Sequence, residues 1–556
     1  MTESSTTEGP VSGTERLAVL AACALASLAA VAWSWRHGAM LNYGDAVAHL
    51  HIARRVFDSR QPSLSQLGSV WLPLPHLLML PFVQVYSWWA NGTAALVPSM
   101  LSYLASCAGI YRLARRWLTP PAAALTLAFF ALNPNLLYLQ TTAMTEPLFL
   151  CETIWIALWM VEWQATLDTD RKRASRLQGL IAAALVAAVF TRYDGWVMAL
   201  LAWTGIGLAL LRRGRLRSLG FWVAGIFVVA APVAWFVYNS FYFGDWLEFM
   251  RGPYSAQAIE MRTSSHGAGP PHPGWHNPWV ALLFFVKVAE MDAADAAWGN
   301  ALLALSALGT AWAWLTARRK AFAWALLLWL PVPFYAYSVA YGSVPIFLPA
   351  WWPHSWYNTR YGMELLPALA LGLGFAAQFA LAAVREFKPS WGRYAVGFLF
   401  ALLALNAWEM VRERPLVYVE GTKNIAARRA FEEEIPPAMV TLLAKRPEGA
   451  ILMDTSVYPN IVAFTGIPLR QTINESDHDV YRAALEAPSD HAYLVLAFDG
   501  DAVDRAVKAH PAGLTEVRRF TAHGQASGTL YISGTLSPIC RTQAGAPVIA
   551  SGKDAR

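Results

Sequence analysis

The chain has 556 residues, of which 56% are hydrophobic and 14% charged, with 26 Trp. One soluble core does not need that much apolar side chain, so most of the excess is expected to face lipid. Basic residues outnumber acidic ones by only 43 to 37, which does not argue for nucleic acid, and cysteines scattered at 23, 107, 151 and 540 form neither a disulfide framework nor a metal-ligand spacing.

Residues 1–14 are rich in Ser, Thr and Glu, and a disordered cytoplasmic tail is expected there. A helix needs about 20 apolar residues to cross the hydrocarbon core. Apolar runs predict spans at 17–35, 94–113, 120–139, 146–165, 178–192, 195–211, 219–239, 297–316, 321–340, 362–384 and 394–410, about eleven in all, the fifth being short. The first lacks a convincing cleavage site and reads as an uncleaved anchor. Basic clusters at 112–117, 170–176, 211–217, 317–320 and 385–393 fall on one side of this list, which the positive-inside rule makes cytoplasmic. The other side receives the loops 36–93 and 240–296, the short turns at 140–145 and 193–194, residues 341–361, and everything after 411.

The first outer loop carries "NYGDAVAHLHIARRVFDS", residues 42–59. Read as a helix, it puts Ala46, Leu50, Ala53 and Phe57 on one face, and Asp45 and His49, four apart, on another. Alone, that is a polar juxtamembrane helix. The following apolar stretch, 71–89, is interrupted by Pro73, Pro75 and Pro81, so a surface-lying or re-entrant segment is expected rather than a span. Further along, Glu146 stands at the mouth of a span in "TTAMTEPLFL". "FTRYDGW" places Arg192, Tyr193 and Asp194 at a second mouth, and "YNTRYGMELLP" places Arg360, Tyr361 and Glu364 at a third. Ionisable groups at membrane depth are costly and face a cavity or a partner. Acids and arginines from distant segments ending on one face suggest a cavity that handles an anion beside a base.

The segment "SSHGAGPPHPGWHNP", 264–278, has histidines enough to hold a metal, but its Pro and Gly content reads better as a mobile loop over a cleft. From about 412 the long apolar runs end. Residues 449–456, 491–498, "TEVRRFTA" and "GTLYISG" read as strands, and "NIAARRAFEEEI" and "DAVDRAVKAH" as helices. The expected architecture is mainly α: a polytopic membrane domain over 15–411 and a small α/β domain outside the membrane over 412–556.

The ordered set "YGDAVAHLHIARRVFDS", "QLGSVWLPLPHLLMLP", "AMTEPLF", "TRYDGW", "YNSFYFGDWLEF" and "RYGMELLPALA" resembles the bacterial and archaeal protein O-mannosyltransferase and aminoarabinose transferase superfamily, over roughly residues 15–415. The resemblance implies a GT-C fold in the plasma membrane. It also implies a polyprenyl-phosphate-linked sugar donor, transfer on the non-cytoplasmic face, and inversion at the anomeric carbon. It makes Asp45 the match of the family's proposed base and Glu146 that of a second acid. Arg192 takes the place of a basic residue meeting the lipid phosphate, and Arg360 with Tyr361 matches an "RY" pair before a late span. His49, Arg54, Tyr193 and Asp194 join these as expected substrate-binding residues. Protein mannosyltransferases proper often have two adjacent acids in the first loop, whereas Asp45 is followed by Ala46. The acceptor therefore stays open among glycan, lipid and protein.

The expected chemistry stands without the family. A glycosyl phosphate already carries a good leaving group, so one carboxylate suffices to take the acceptor's proton. Arginines suit the phosphate that gains charge. No cofactor is required, and a divalent metal is an open alternative. A lipid-linked-sugar transporter with the same cavity but no base, or a membrane scaffold, are the non-catalytic readings; no clear inverted repeat favours the transporter.

Overall fold

The computed structural model describes residues 12–263, 270–316, 319–456 and 458–535. Most of the expected tail 1–14 and residues 264–269 of the expected mobile loop lie outside the described residues. The chain divides into two compact units: Met1–Phe57 with Pro62–Ala426, and Asp58–Gln61 with Ala427–Arg556.

The first unit is helical. Helix α1 (Gly13–Arg36) starts where the Ser12 side chain accepts from the Glu15 N–H, and its most apolar 18-residue stretch has mean hydropathy 2.1. Leu17, Leu25 and Leu28 point outward while Ser27 is buried and donates to Gln140 Oε1 at 2.9 Å. Such a pattern, apolar outside and small polar residues inside, suits a helix whose solvent is lipid. Next come α2 (Gly44–Arg55), α3 (Leu74–Met79) and α4 (Tyr86–Asn91). With six residues each, α3 and α4 are far too short to cross, so the proline-broken 71–89 is not a span.

Helices α5 (Leu96–Ala114), α6 (Pro120–Ala131) and α7 (Pro134–Leu139) follow. The run predicted as one span over 120–139 is broken at Asn133, which caps α7 by accepting from the Asn135 and Leu136 N–H groups. Then come α8 (Glu146–Thr166), α9 (Arg171–Thr191), α10 (Asp194–Leu211) and α11 (Leu219–Phe243). The short fifth run is a full helix of 21 residues, because Asp170 caps it from within the basic cluster and the polar residues 171–176 continue the helix below the apolar stretch. The outer segment 240–296 holds three helices, α12 (Glu248–Arg251), α13 (Ala256–Thr263) and α14 (Pro278–Ala293). The sequence predicts a loop where α14 forms. Its Phe285, Val288 and Ala289 are completely buried, so packing rather than lipid accounts for its apolar face.

Helices α15 (Gly299–Thr316), α16 (Arg319–Ala325), α17 (Pro331–Tyr341), α18 (Leu366–Phe387), α19 (Gly392–Arg412) and α20 (Leu416–Leu443) complete the set. A Cβ on Gly372 of α18 would stand 2.3 Å from Ser306 O of α15, so the small residue lets two helix backbones touch, and Ser306 Oγ donates across the contact to Leu369 O at 3.0 Å. Eight helical segments among the described residues are long and apolar enough to cross a membrane. Helix α8 carries three glutamates, at 146, 152 and 162, and α6 with α7 is broken, which is why apolarity alone under-reads them.

The second unit contains a five-stranded sheet in the order β2-β1-β3-β5-β4: β1 (Ile451–Met453), β2 (Thr472–Ile473), β3 (Leu494–Phe498), β4 (Leu514–Phe520) and β5 (Gly528–Ser533). Strands β2, β1 and β3 are parallel, while β5 and β4 are antiparallel additions. Every residue of β3 is buried, as expected for a central strand covered on both faces. Strand β2 has no counterpart among the predicted strands, because two residues carry no readable period. Asp58 of this unit accepts from the Leu469 N–H at 3.3 Å, and Arg60 donates to Thr472 O at 2.9 Å.

Candidate active site

Three acids of the first unit stand in the first turn of a helix: Asp45 on α2, Glu146 on α8 and Asp194 on α10. There the helix dipole and unpaired N–H groups favour a carboxylate. Arg192 is the mirror case, capping the C-terminus of α9, where a cation is favoured. The tight α9–α10 corner depends on Gly195, where a Cβ would stand 2.2 Å from Ala188 O. Arg360, Tyr361 and Glu364 lie on the 3-10 segment Thr359–Leu365 that leads into α18. Elements far apart in sequence thus end together.

The arginines organise the site. Arg360 meets three carboxylates: Asp45 Oδ2 at 2.6 Å, Glu146 Oε1 at 3.1 Å and Glu420 Oε1 at 3.3 Å. Arg192 also meets three: Glu364 Oε1 at 2.9 Å, Glu146 Oε1 at 3.3 Å and Asp194 Oδ2 at 3.5 Å. Glu146 is shared and wholly buried. The Tyr361 ring lies between the arginines, its centroid 5.1 Å from the Arg192 and 5.0 Å from the Arg360 guanidinium carbon, a cation–π contact on each. Tyr335 donates to Glu364 Oε1 at 2.6 Å and receives Arg192 Nη2 at 2.8 Å.

Exposure separates one member from the rest. The Asp45 side chain is 42% exposed, whereas those of Glu146, Glu364, Glu420 and Asp194 are at most 5% exposed. Two guanidiniums thus serve five carboxylates, only one of which faces outward. Burial keeps the nearby Tyr43 hydroxyl well above the usual phenol range, reinforced by Glu420, so it stays protonated and donates to Val417 O at 2.7 Å.

Not every expected residue joins the cluster. His49, one turn along α2 from Asp45, is buried with its Nδ1 2.8 Å from His76 Nε2 and its ring 4.6 Å from that of Trp71. Burial drives its pKa down to about 4, so it is neutral at physiological pH. Arg54 is buried too, donating to Val83 O at 2.8 Å with its guanidinium carbon 4.7 Å from the Trp89 ring centroid. Tyr193 donates to Val70 O at 2.7 Å and stacks on Phe249, which ties the outer loops to α10.

Glu420 and Tyr335 join the cluster although the sequence does not single them out. Glu420 accepts from the backbone N–H groups of Asn358 at 2.9 Å and Thr359 at 2.8 Å, as well as from Arg360. Its position past the last predicted span hid it. Tyr335 carries one polar atom inside an apolar run, the only hint available. Among the described residues no group of three or more His, Cys, Asp or Glu is arranged to hold a metal ion.

No family model matches the chain, and no curated protein does. Solved structures do. The crystal structure of ArnT from Cupriavidus metallidurans bound to undecaprenyl phosphate superposes with a TM-score of 0.54 at 13% identity, over 91% of this chain and 97% of that one. The chain has the GT-C fold. The apo structure of the same ArnT agrees, with a TM-score of 0.53, 14% identity, and coverage of 93% and 98%. The GT-C fold makes this a polytopic membrane protein, mainly helical with a small C-terminal sheet. At such low identity the likeness concerns the fold; what the cluster does must be argued from its chemistry.

Proposed function

We propose that the chain is an inverting membrane glycosyltransferase, moving a sugar from a polyprenyl-phosphate donor to an acceptor on the non-cytoplasmic face. The observation that carries the reading is the single exposed carboxylate, Asp45, held 2.6 Å from a buried arginine that is itself part of a two-arginine cluster. That is a base beside an anion site. The undecaprenyl phosphate in the ArnT crystal structure supports the same class of lipid here.

In the proposed reaction the acceptor hydroxyl or amine attacks the anomeric carbon. The bond from that carbon to the phosphate oxygen breaks, and its electron pair leaves with the polyprenyl phosphate. Asp45 takes the acceptor's proton. Arg192 and Arg360 face the phosphate as its charge grows, the moment at which a fixed guanidinium stabilises most. Glu146, buried and bonded to both arginines, holds their spacing rather than moving a proton. One carboxylate doing base work and one orienting arginines differs from the flanking pair of glycosidases.

The cluster's charge imposes an order on these events. Among Arg360's three carboxylate partners only Asp45 is exposed, so an incoming phosphate reaches Arg360 on the side that Asp45 occupies. Donor binding then releases Asp45 from its ion pair, and a carboxylate without its cation is the better base.

The test is transfer from a polyprenyl-phosphate sugar by detergent-purified protein. Arg192→Ala and Arg360→Ala should each lower turnover roughly 100- to 1,000-fold. The lysine versions should be intermediate, since lysine keeps the charge but loses the planar fork. Folded alanine variants that turn over the donor like the parent would overturn the phosphate site.

A further inference from the structure

At the other end of α8 a second charged cluster has no role in the reading above. Glu162 lies 16 residues beyond Glu146, roughly 24 Å along the helix at 1.5 Å per residue. Its side chain is 1% exposed, and three arginines from two neighbouring helix ends converge on it. Arg112 Nη2 is 2.6 Å away and Arg116 Nη2 2.5 Å away at the end of α5, with Arg173 Nη2 at 3.4 Å in the first turn of α9. Each guanidinium commits one terminal nitrogen to the shared carboxylate.

One carboxylate cannot balance three guanidiniums held this close. Arg112 and Arg116 are four apart, a spacing at which like charges repel. Among the described residues no other carboxylate reaches any of the three guanidiniums; Asp170 takes the backbone N–H of Arg173, and Asp168 is engaged by Arg213 and Arg215. The side chains of Arg112, Arg116 and Arg173 are 42%, 34% and 51% exposed, so their remaining N–H donors are open to a ligand. The cluster sits where two candidate spans, Thr93–Ala114 and Arg171–Thr191, terminate, the depth of lipid headgroups.

A generic basic loop scatters its charges. Here a buried acid gathers three planar forks into one place, which suits a tetrahedral anion with several oxygens. We propose that Arg112, Arg116 and Arg173 form a phosphate-binding site at the membrane surface opposite the Asp45 cluster, and that a phospholipid headgroup is the ligand it takes. Glu162 is the positioning residue that assembles it.

Native mass spectrometry of purified full-length protein tests this with three probes: phosphatidylglycerol, diacylglycerol with the same chains, and inorganic phosphate. The parent should retain phosphatidylglycerol and not diacylglycerol. The pair Arg112→Gln with Arg173→Gln should weaken retention about tenfold, whereas the charge-matched pair Arg213→Gln with Arg215→Gln should bind like the parent. Inorganic phosphate that competes with the lipid would place recognition in the phosphate itself; inorganic phosphate bound as tightly as the lipid would keep the site and make the free anion its ligand. Arg173→Gln alone, which leaves Glu162 two arginines, should show a smaller loss in a protein of parental thermal stability. Equal loss in both charge-matched pairs, or equal retention of diacylglycerol, would overturn the proposal. Neither result depends on whether the chain transfers sugar.

Discussion

Replacing Asp45 by asparagine should do two opposite things. If the donor phosphate and Asp45 compete for Arg360, removing the carboxylate's charge removes a competitor, and the lipid phosphate binds more tightly. The Asp45–Arg360 contact is short, 2.6 Å, but the acid is 42% exposed, so water screens it. Its worth is then about 0.5–1.5 kcal/mol, between a surface pair and a desolvated one. At 1.4 kcal/mol per factor of ten, polyprenyl phosphate should bind Asp45→Asn about 2- to 10-fold more tightly. The same change removes the base, so turnover should fall roughly 100- to 10,000-fold. Calorimetric titration of polyprenyl phosphate into detergent-purified parent and variant reads the first effect, and product formation from the sugar donor reads the second. Tighter binding should shrink as salt rises, because the competing pair is itself screened. Weaker binding by the variant would refute the competition, and near-normal turnover would refute the base.

Glu420 should matter despite touching no substrate: Glu420→Ala strands two buried backbone N–H groups and one arm of Arg360, so stability should drop by roughly 3–5 kcal/mol in denaturant unfolding, with Glu420→Gln milder. In the second unit, burial and then Asp454 raise the Glu475 pKa from 4.5 to about 7. Its folded form holds the proton more tightly than the unfolded chain, so its contribution to stability is complete below about pH 4.5 and is lost as pH rises through about 7. Hydrogen exchange of the β1 and β3 amides, corrected for intrinsic rates, should show protection falling across that window in the parent and flat in Glu475→Gln. Topology is checked by cysteine probes at 60 and 480 in a chain lacking its native thiols; both should be labelled from outside intact cells, and labelling at 480 only after permeabilisation would reverse the proposed orientation.

The sequence by itself determined the class of molecule and the charged residues at the mouths of its predicted spans. Apolar runs of membrane length are local, and so are the acid in a first turn or the arginine at a last one, so Asp45, Glu146, Arg192 and Arg360 were legible as boundary residues. The α/β tail was legible for the same reason, since β1, β3, β4 and β5 each show a short apolar or alternating run. Only the tertiary structure decided partnership. Arg360 finds Asp45 across 315 residues and Glu146 across 214, and no local period encodes which of several boundary charges will meet. Packing sent His49 and Arg54 into the interior of their own loop, although their helix faces looked as polar as that of Asp45. It also made α14 a helix with one buried face and brought Glu420, beyond the last span, under the Arg360 segment. The physical reason is common to all of these: helix-forming propensity and apolarity are properties of neighbours in sequence, whereas the burial that leaves one carboxylate of five exposed belongs to the packed whole.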